Sequence, residues 1–291
     1  MNDFLHDVSW VIPHRTEELT AIFKALTWLG YPTFVMLLLP LGYWLWSKKA
    51  FTRIVVLVIL STILNALLKD YWENPRPDAL FRLDPGVGDS FGMPSGHAQI
   101  ALVLWFGIAF EIRRMWAWIT ACIIVAGISF SRIYLGIHDL EDILVGLCIG
   151  AISLCLYRWL LRPRFLRARS LSVWPYLLAI VLMQIVLIRI WPAPAHSVQA
   201  LSLAAFLGGW LLGDSIERIF IEFNARSDLW VVPVVIILGI AGVSVLTAII
   251  KIVTVTVAPQ ITSYITTFLL GIYMTLIGPA VFKLIRLSSM R

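Results

Sequence analysis

Charged residues are scarce in this sequence. They make up 14% of the 291 residues, against about 25% in an ordinary globular domain. This scarcity excludes a disordered chain and a Lys- and Arg-rich nucleic-acid-binding domain, and it argues against most soluble enzymes. Cysteine is also rare: Cys122, Cys148 and Cys155 all lie in apolar runs. A disulfide framework is therefore not expected.

Apolar residues dominate what is present. They account for 60% of the sequence, and the mean hydropathy is +0.88. A helix needs about 20 mostly apolar residues to cross a bilayer. Nine stretches approach this length: about 27–46, 52–70, 98–112, 116–135, 142–160, 173–191, 199–214, 230–250 and 260–282. The third and seventh are short. The sequence predicts an all-α, polytopic helical membrane protein, with the bilayer and not a nucleic acid as its surroundings.

The basic residues predict an orientation. They cluster at 47–53, 113–114 and 158–169 and at the C-terminus, all on one side if the spans alternate. The positive-inside rule makes that side cytoplasmic. The N-terminus and the loop 70–97 then face a periplasm, lumen or exterior, as in a bacterial inner membrane or an ER-like membrane. Residues 1–26 do not have the pattern of a signal peptide. Their helically spaced apolar residues predict an amphipathic interfacial segment.

Three polar clusters interrupt the apolar chain, and the predicted topology puts all of them at the outward surface. They are the run Lys69–Pro77, the run Pro94–His97, and the set Ser131, Arg132, His138 and Asp142. Each has a plainer structural explanation: a lysine at a span end snorkels, a serine caps a helix, and a histidine hydrogen-bonds a neighbouring carboxylate. Ionisable groups that converge at membrane depth are costly and typical of functional sites.

The first part of this chemistry is anion binding. Arg76 and Arg132 offer planar forks that match phosphate oxygens, and Lys69 adds a point charge. Ser95 and Gly96 lie where a helix is expected to begin, so backbone N–H groups and the helix dipole favour the same anion. The sequence predicts a phosphate site.

Two histidines are available for catalysis at that phosphate. His138 and Asp142 are spaced i and i+4, and they share a face if the helix begins at or before His138. The carboxylate would fix the tautomer and leave one ring nitrogen free to attack phosphorus. His97 could protonate the leaving oxygen and later activate water. A zinc site is the alternative, but three surrounding cations would repel the metal, so we expect no metal and no cofactor.

The spacing of these residues resembles a known signature. Lys69-x6-Arg76-Pro77, Pro94-Ser95-Gly96-His97 and Ser131-Arg132-x5-His138-x3-Asp142 are similar to the three motifs of the type 2 phosphatidic acid phosphatase (PAP2) superfamily, over about residues 20–160. That superfamily also includes vanadium haloperoxidases and glucose-6-phosphatase-like enzymes. The resemblance implies a metal-independent phosphatase with a helical core and a phospho-histidine intermediate. It implies these roles: His138 as nucleophile, Asp142 as its partner, His97 as general acid and base, and Lys69, Arg76, Ser95, Gly96 and Arg132 as phosphate ligands.

Three domains are expected from this organisation. Residues 1–26 form the interfacial segment, 27–165 the PAP2-type catalytic core, and 173–291 a region of about four additional transmembrane helices. Compact bacterial members of the family do not have these additional helices. It could shape a lipid entrance, form a contact in a homo-oligomer, or have a separate role.

The expected substrate is a membrane lipid with its phosphate at headgroup level. Candidates are undecaprenyl or another polyprenyl diphosphate, phosphatidic acid, phosphatidylglycerol phosphate and a sphingoid phosphate. The loop from Asp78 to Met93 is the expected specificity element: Arg82 could contact phosphate or headgroup, and Asp84 and Asp89 would disfavour a highly anionic headgroup. The alternatives are a lipid phosphotransferase with the same intermediate, a haloperoxidase, and a lipid transporter or scramblase that retains a phosphate site.

Overall fold

The computed structural model describes residues 5–84, 90–160, 174–192, 197–224, 228, 230–285 and 287. Within these ranges the chain is helical and contains no strand, which confirms the predicted all-α class. The α-helices are α1 Glu17–Trp28, α2 Pro32–Leu45, α3 Lys48–Trp72, α4 Gly96–Ile112, α5 Met115–Tyr134, α6 Leu140–Leu160, α7 Trp174–Ile190, α8 Val198–Ile216, α9 Val231–Val253, α10 Pro259–Ile272 and α11 Gly278–Leu284. Short 3-10 helices span Ser9–His14 and Ala79–Phe81, and π-helical turns span Glu217–Ile221 and Tyr273–Ile277.

Fewer helices are long enough to cross a membrane than the nine predicted stretches. In the described residues, five meet the length and hydropathy that a span requires: α3, α5, residues 140–159 of α6, α9 and the segment Pro259–Leu284. A sixth is present if α1 and α2, which meet at 49°, count as one bent span. Helix α4 and residues 177–190 of α7 are apolar but shorter. Helix α8 occupies the predicted seventh stretch, and its glycines and Asp214 dilute its apolar side chains.

The chain divides into two compact units. One contains residues 1–36 and 60–167, and the other contains residues 37–59 and 168–291. Helices α2 and α3 therefore each contribute residues to both units. All eight predicted site residues belong to the first unit.

The first unit is built on α4. This helix packs against α5 and α6, and α1 packs against α5. One apolar cluster joins Ala101 of α4 to Val125 and Ile128 of α5. A second cluster joins Val8 and Val11, at the N-terminal 3-10 helix, to Ala98, Ile133 and Ile143. The N-terminal segment thus covers the ends of the helices that carry the predicted motifs.

The second unit is held by close helix packing and buried polar contacts. A Cβ atom at Gly209 of α8 would lie 1.9 Å from the carbonyl oxygen of Phe268 in α10, so this close approach requires glycine. Lys48 Nζ lies 2.8 Å from both carboxylate oxygens of Glu217, which is fully buried. These contacts tie the start of α3 to the π-helical turn after α8.

Several smaller predictions concern the ends and loops. Thr16 accepts a hydrogen bond from Leu19 N and begins α1, which presents Leu19 and Ile22 at its surface. The three cysteines are free. The arginine-rich stretch 161–169, the first four residues and Asp89 lie outside the described residues.

Candidate active site

Helix ends of the first unit deliver the predicted residues to one place. Lys69 lies in the last turn of α3, Arg132 in the last turn of α5, and Gly96 and His97 open α4. Asp142 lies in the first turn of α6. Lys69, Arg76, Arg132 and His97 are all close enough to His138 to act on its imidazole electrostatically. The structure thus brings the three predicted motifs together.

His138 occupies the centre of a hydrogen-bonded chain. Its Nδ1 lies 2.7 Å from Asp142 Oδ2, and its Nε2 lies 3.0 Å from Arg76 Nη1. A guanidinium only donates hydrogen bonds, so Nε2 must accept the hydrogen bond from Arg76. The ring proton is therefore on Nδ1, which donates a hydrogen bond to Asp142. The side chain is 2% exposed. The ring is therefore held in the tautomer whose Nε2 lone pair points toward a cation.

The contact between His138 and Asp142 does not arise in the way the sequence suggested. Helix α6 begins at Leu140, two residues after His138, so the two residues do not share a helix face. The backbone N–H of His138 instead donates to Arg132 O at 3.3 Å. Asp139 Oδ1 accepts from Asp142 N at 2.9 Å and caps the new helix. The i, i+4 pair therefore forms, but a turn between α5 and α6, and not a shared helix face, brings the two side chains together.

The surroundings set the charge of this imidazole. Burial, followed by the positive charges of Arg76 and Lys69, lowers the pKa of His138 well below its ordinary value. Burial and the neighbouring Arg132 lower the pKa of Arg76 to about 10, so this guanidinium is still protonated at neutral pH. His138 is neutral and Arg76 is charged under the same conditions. This is the combination that a nucleophile beside an anion site requires.

The loop before α4 holds two of the three predicted phosphate cations. Arg76 donates from Nε to Ser90 O at 2.6 Å and from Nη2 to Ser90 Oγ at 2.8 Å. Lys69 Nζ donates to the carbonyl oxygens of Phe91 and Gly92, the latter at 2.7 Å. Both cations are thereby fixed in direction. Phosphate oxygens would take over some of these hydrogen bonds.

Three buried polar atoms in the site have no hydrogen-bond partner among the described residues. They are Ser95 Oγ, His97 Nε2 and Arg132 Nε. Ser95 precedes α4, but its hydroxyl makes no capping hydrogen bond. Leaving such a group unpaired costs about 1–3 kcal/mol. Three of them in one site are typical of a surface shaped for a polar ligand.

Close packing of α6 fixes the start of α4. A Cβ atom at Gly146 would lie 2.6 Å from Ser95 O, so only glycine permits this approach. Ser95 N donates to Asp142 O at 2.9 Å. The turn that carries Ser95 and His97 is therefore bound directly to the helix that carries Asp142.

A buried amide network supports the same turn and was missed by the sequence reasoning. Asn65 Nδ2 donates to Pro94 O at 3.2 Å and to Gln99 Oε1 at 2.8 Å. Gln99 Nε2 in turn donates to Ser61 O at 2.9 Å. The available signal was an amide side chain within each of two apolar helices, where polar groups are costly.

A second group of residues around Arg132 was only partly anticipated. Arg132 Nη1 donates to Thr27 Oγ1 at 2.7 Å and lies 3.8 Å from Asp84 Oδ2. The Tyr31 hydroxyl donates to the same Asp84 oxygen. Arg82, considered as a phosphate contact, donates instead to Pro77 O at 3.3 and 3.0 Å.

Comparison with protein families decides what the chain is. The PAP2 superfamily matches residues 50–166, and the family described as PAP2 superfamily phosphatase, transmembrane extension matches residues 201–290. The chain belongs to the PAP2 superfamily. It is a multi-pass integral membrane protein, and the PAP2 match contains all eight predicted site residues.

The curated relatives that the chain matches include proteins from yeast and bacteria. Dihydrosphingosine 1-phosphate phosphatase YSR3 of Saccharomyces cerevisiae is 25% identical over 173 residues, which are 54% of this chain and 42% of that protein. Phosphatidylglycerophosphatase B of Bacillus subtilis is 28% identical over 152 residues, 47% of this chain and 73% of that protein. Dolichyldiphosphatase of Saccharomyces cerevisiae is 29% identical over 112 residues, 34% of this chain and 46% of that protein. The chain thus matches less than half the length of the two yeast proteins.

Two solved structures are similar to part of the chain. A crystal structure described as the first transmembrane PAP2-type phosphatidylglycerolphosphate phosphatase, from Bacillus subtilis, matches with a TM-score of 0.46 and 23% identity. The match covers 52% of this chain and 81% of that chain. Aquifex aeolicus LpxE matches with a TM-score of 0.47 and 21% identity, over 52% and 92% of the two chains.

Proposed function

We propose that this PAP2 protein is a membrane phosphatase that hydrolyses a lipid phosphate or diphosphate at the non-cytoplasmic face, through a phospho-histidine on His138. The observation that carries the proposal is the chain of contacts Asp142–His138–Arg76. It combines an oriented, neutral imidazole with a cation next to the nitrogen that would attack. The outward orientation rests on the distribution of Lys and Arg along the sequence.

The first step transfers the phosphoryl group to the enzyme. Arg76 exchanges its contact with His138 Nε2 for a phosphate oxygen, which frees the lone pair. Nε2 then forms a bond to phosphorus while the bond from phosphorus to the ester oxygen breaks. His97 donates a proton to that leaving oxygen. Asp142 stabilises the positive charge that develops on the ring.

The second step returns the enzyme to its starting state. His97, now deprotonated, takes a proton from water as the water oxygen attacks phosphorus. The bond between phosphorus and Nε2 breaks, its electron pair returns to Nε2, and inorganic phosphate is released. The phosphate is held throughout by hydrogen-bond donors of five residues: Lys69, Arg76, Ser95, Gly96 and Arg132.

The names of the relatives support a lipid substrate without selecting one. They are named for dihydrosphingosine 1-phosphate, phosphatidylglycerophosphate and dolichyl diphosphate. All three compounds carry phosphate at the headgroup and an apolar tail. The apolar helices of this chain would keep such a tail in the bilayer while the phosphate reaches the site.

The test is phosphate release by the purified, detergent-solubilised chain with EDTA present. A panel of sphingoid, glycerol and polyprenyl phosphates is offered to wild type and to His138→Ala. We expect release from at least one lipid, inhibition by vanadate, and loss of at least about 10³-fold in kcat in the variant. His14→Gln, which removes an exposed histidine, is the matched control and should retain activity.

Two results would contradict the proposal: full activity of His138→Ala, or strict dependence on an added divalent metal. Analysis of the products from a labelled donor separates hydrolysis from transfer. Release of labelled inorganic phosphate supports hydrolysis, whereas label in a second lipid assigns the same intermediate to a phosphotransferase.

A further inference from the structure

The turn that carries the proposed nucleophile is attached at both ends to an N-terminal strap, residues 5–15. At the α5 end of the turn, Arg15 donates from Nε and Nη2 to Tyr134 O at 3.1 and 2.8 Å. At the other end, the backbone N–H that opens α6 donates to Leu5 O at 3.0 Å. His138 lies between these two attachment points, so the position of its imidazole depends on the strap.

His6 joins the strap to two carboxylates at the start of α6. Its Nδ1 lies 2.8 Å from Asp139 Oδ2, and its Nε2 lies 3.3 Å from Glu141 Oε2. A neutral imidazole carries one N–H and can donate to only one of these carboxylates, whereas an imidazolium can donate to both. Both contacts are therefore hydrogen bonds only when His6 is protonated.

The contact with Asp139 connects His6 to the proposed catalytic pair. One oxygen of the Asp139 carboxylate, Oδ2, faces His6, and the other, Oδ1, accepts the hydrogen bond of Asp142 N at 2.9 Å. The Asp142 carboxylate in turn lies 2.7 Å from Nδ1 of His138. A change at His6 thus reaches the proposed nucleophile through three consecutive hydrogen bonds.

The charges that face His6 are negative. The two carboxylates at the start of α6 contact its ring nitrogens. Asp7, the next residue of the strap, accepts a hydrogen bond from a backbone N–H of the same segment. The strap packs on α4 and α5 through Ala98 and Ile133, which carry no charge. The protonated form of His6 therefore has partners for its charge on α6.

His6 is also open to the surrounding solution. Its side chain is 47% exposed, whereas that of Asp139 is 9% exposed. An imidazole changes charge between about pH 5 and pH 8. An exposed ring can therefore exchange its proton with the solution while the buried carboxylate passes the effect to α6.

We propose that His6 is a positioning residue for the proposed nucleophile, because its protonated ring binds the strap to α6 and so holds Asp142 and His138 in the reactive arrangement. This role rests on the proposed phosphatase function and adds a residue to it. As the pH rises and the ring loses its proton, one of the two contacts with α6 is lost. The contribution of His6 to kcat is then present at acidic pH and absent at alkaline pH.

The experiment measures kcat and KM on a lipid phosphate that wild type hydrolyses, at about pH 5.5 and about pH 8.5, on either side of the ordinary imidazole titration. His6→Gln removes the charge and keeps a hydrogen-bonding side chain. His6→Lys keeps a positive charge at both pH values. His14→Gln removes another histidine of the strap, which is exposed, and is the matched control.

We expect kcat of His6→Gln to be about two- to fivefold below that of wild type at the lower pH and equal to it at the higher pH, with KM unchanged. His6→Lys should match wild type at the lower pH and exceed it by about the same factor at the higher pH. The ratio of each variant to wild type cancels the pH dependence that the rest of the site imposes on both proteins. His14→Gln should stay at a ratio of about one.

Arg15→Gln tests the other end of the turn. A guanidinium stays charged at both pH values, so this variant should lower kcat by a similar factor at each of them. A wild-type kcat in Arg15→Gln would show that the turn of His138 does not need the strap, and it would overturn the proposal.

The remaining outcomes separate the positioning role from the function on which it rests. The role is overturned, and the phosphatase stands, if the His6→Gln ratio is one at both pH values, if the deficit is the same at both, or if only KM changes. If His6→Gln does not fold, His6→Lys decides at the higher pH, where no gain over wild type overturns the role. Failure of wild type to hydrolyse any lipid of the wider panel overturns the phosphatase and the role together.

Discussion

At the scale of single residues, the site depends on the tautomer of one imidazole. Asp142 holds the Nδ1 proton of His138 at 2.7 Å, and the Nε2 lone pair is aimed at Arg76. In the proposed mechanism, the carboxylate therefore decides both which nitrogen attacks and how well the ring tolerates positive charge.

Replacing Asp142 with asparagine should damage turnover far more than binding. The amide can donate as well as accept, so it permits the tautomer with the proton on Nε2, and it no longer stabilises a positively charged ring. We expect kcat to fall by about 10³-fold and KM to stay within about threefold. Steady-state kinetics on a lipid hydrolysed by wild type checks this. Unchanged kcat with a raised KM would assign Asp142 to binding instead.

The sequence was informative about which residues form the site and less so about their contacts. Spacing and residue type were enough to single out His138, Asp142 and the three cations. The direct contact between Arg76 and His138 was not predicted, because Arg76 lies in an irregular segment whose path depends on the loop at Ser90. Tyr31 had no signal in its own neighbourhood, because its hydroxyl donates to Asp84, a residue far along the chain.

At the scale of elements, the site is held by polar contacts between helices. Helices α3 and α4 are joined by the amides of Asn65 and Gln99, which also bind Pro94 O at the turn before α4. Helix α6 starts with the cap that Asp139 provides. The sequence predicted the approximate helices from their apolar length. It could not predict these links, because each joins residues on different elements or depends on where a helix begins.

The amide network gives a prediction at this scale. Asn65→Ala removes the donor to Pro94 O and leaves Gln99 Oε1 without that partner, so the folded protein should lose about 1–3 kcal/mol of stability. The looser turn should also lower kcat, since Ser95 and His97 follow Pro94 directly. Thermal unfolding in detergent and phosphate-release kinetics measure the two effects.

Leu64, the residue before Asn65, supplies the control for Asn65→Ala. Leu64 is 37% exposed, so Leu64→Ala shortens a side chain on the same helix without touching the network. We expect it to stay close to wild type in both measurements. Equal effects of the two variants would show that α3 responds to any truncation and that the amide has no particular importance.

At the scale of the whole molecule, composition predicted a helical membrane protein, and the PAP2 family matches agree with it. The number of spans was harder to predict. Helix α8 has 19 residues and packs against α10, but Gly209 and Asp214 lower its hydropathy, so it is not among the five helices that meet the criteria for a span. Helix α1 ends at Trp28 and α2 begins at Pro32, and a sliding average of hydropathy hides this break.

The buried ion pair of the second unit allows a test that separates stability from topology. Lys48 and Lys49 are adjacent basic residues in the segment used to predict orientation, but only Lys48 contacts Glu217 in the described structure. Lys48→Gln leaves a fully buried carboxylate without its ammonium partner. Removing one partner of a buried ion pair lowers the free energy of unfolding by about 3–5 kcal/mol. The hydrogen bond that Phe223 N donates to Glu217 Oε1 at 2.6 Å offsets part of this loss.

Lys49→Gln removes the same charge from the same segment at an exposed position. We therefore expect Lys48→Gln to lower the thermal midpoint in detergent by several degrees and Lys49→Gln to leave it near wild type, while any effect on membrane orientation is shared by both. Below the midpoint, kcat per folded molecule should be unchanged in both variants, because Lys48 and Lys69 stand at opposite ends of α3. A loss of kcat in fully folded Lys48→Gln would instead show that the transmembrane extension contributes to catalysis.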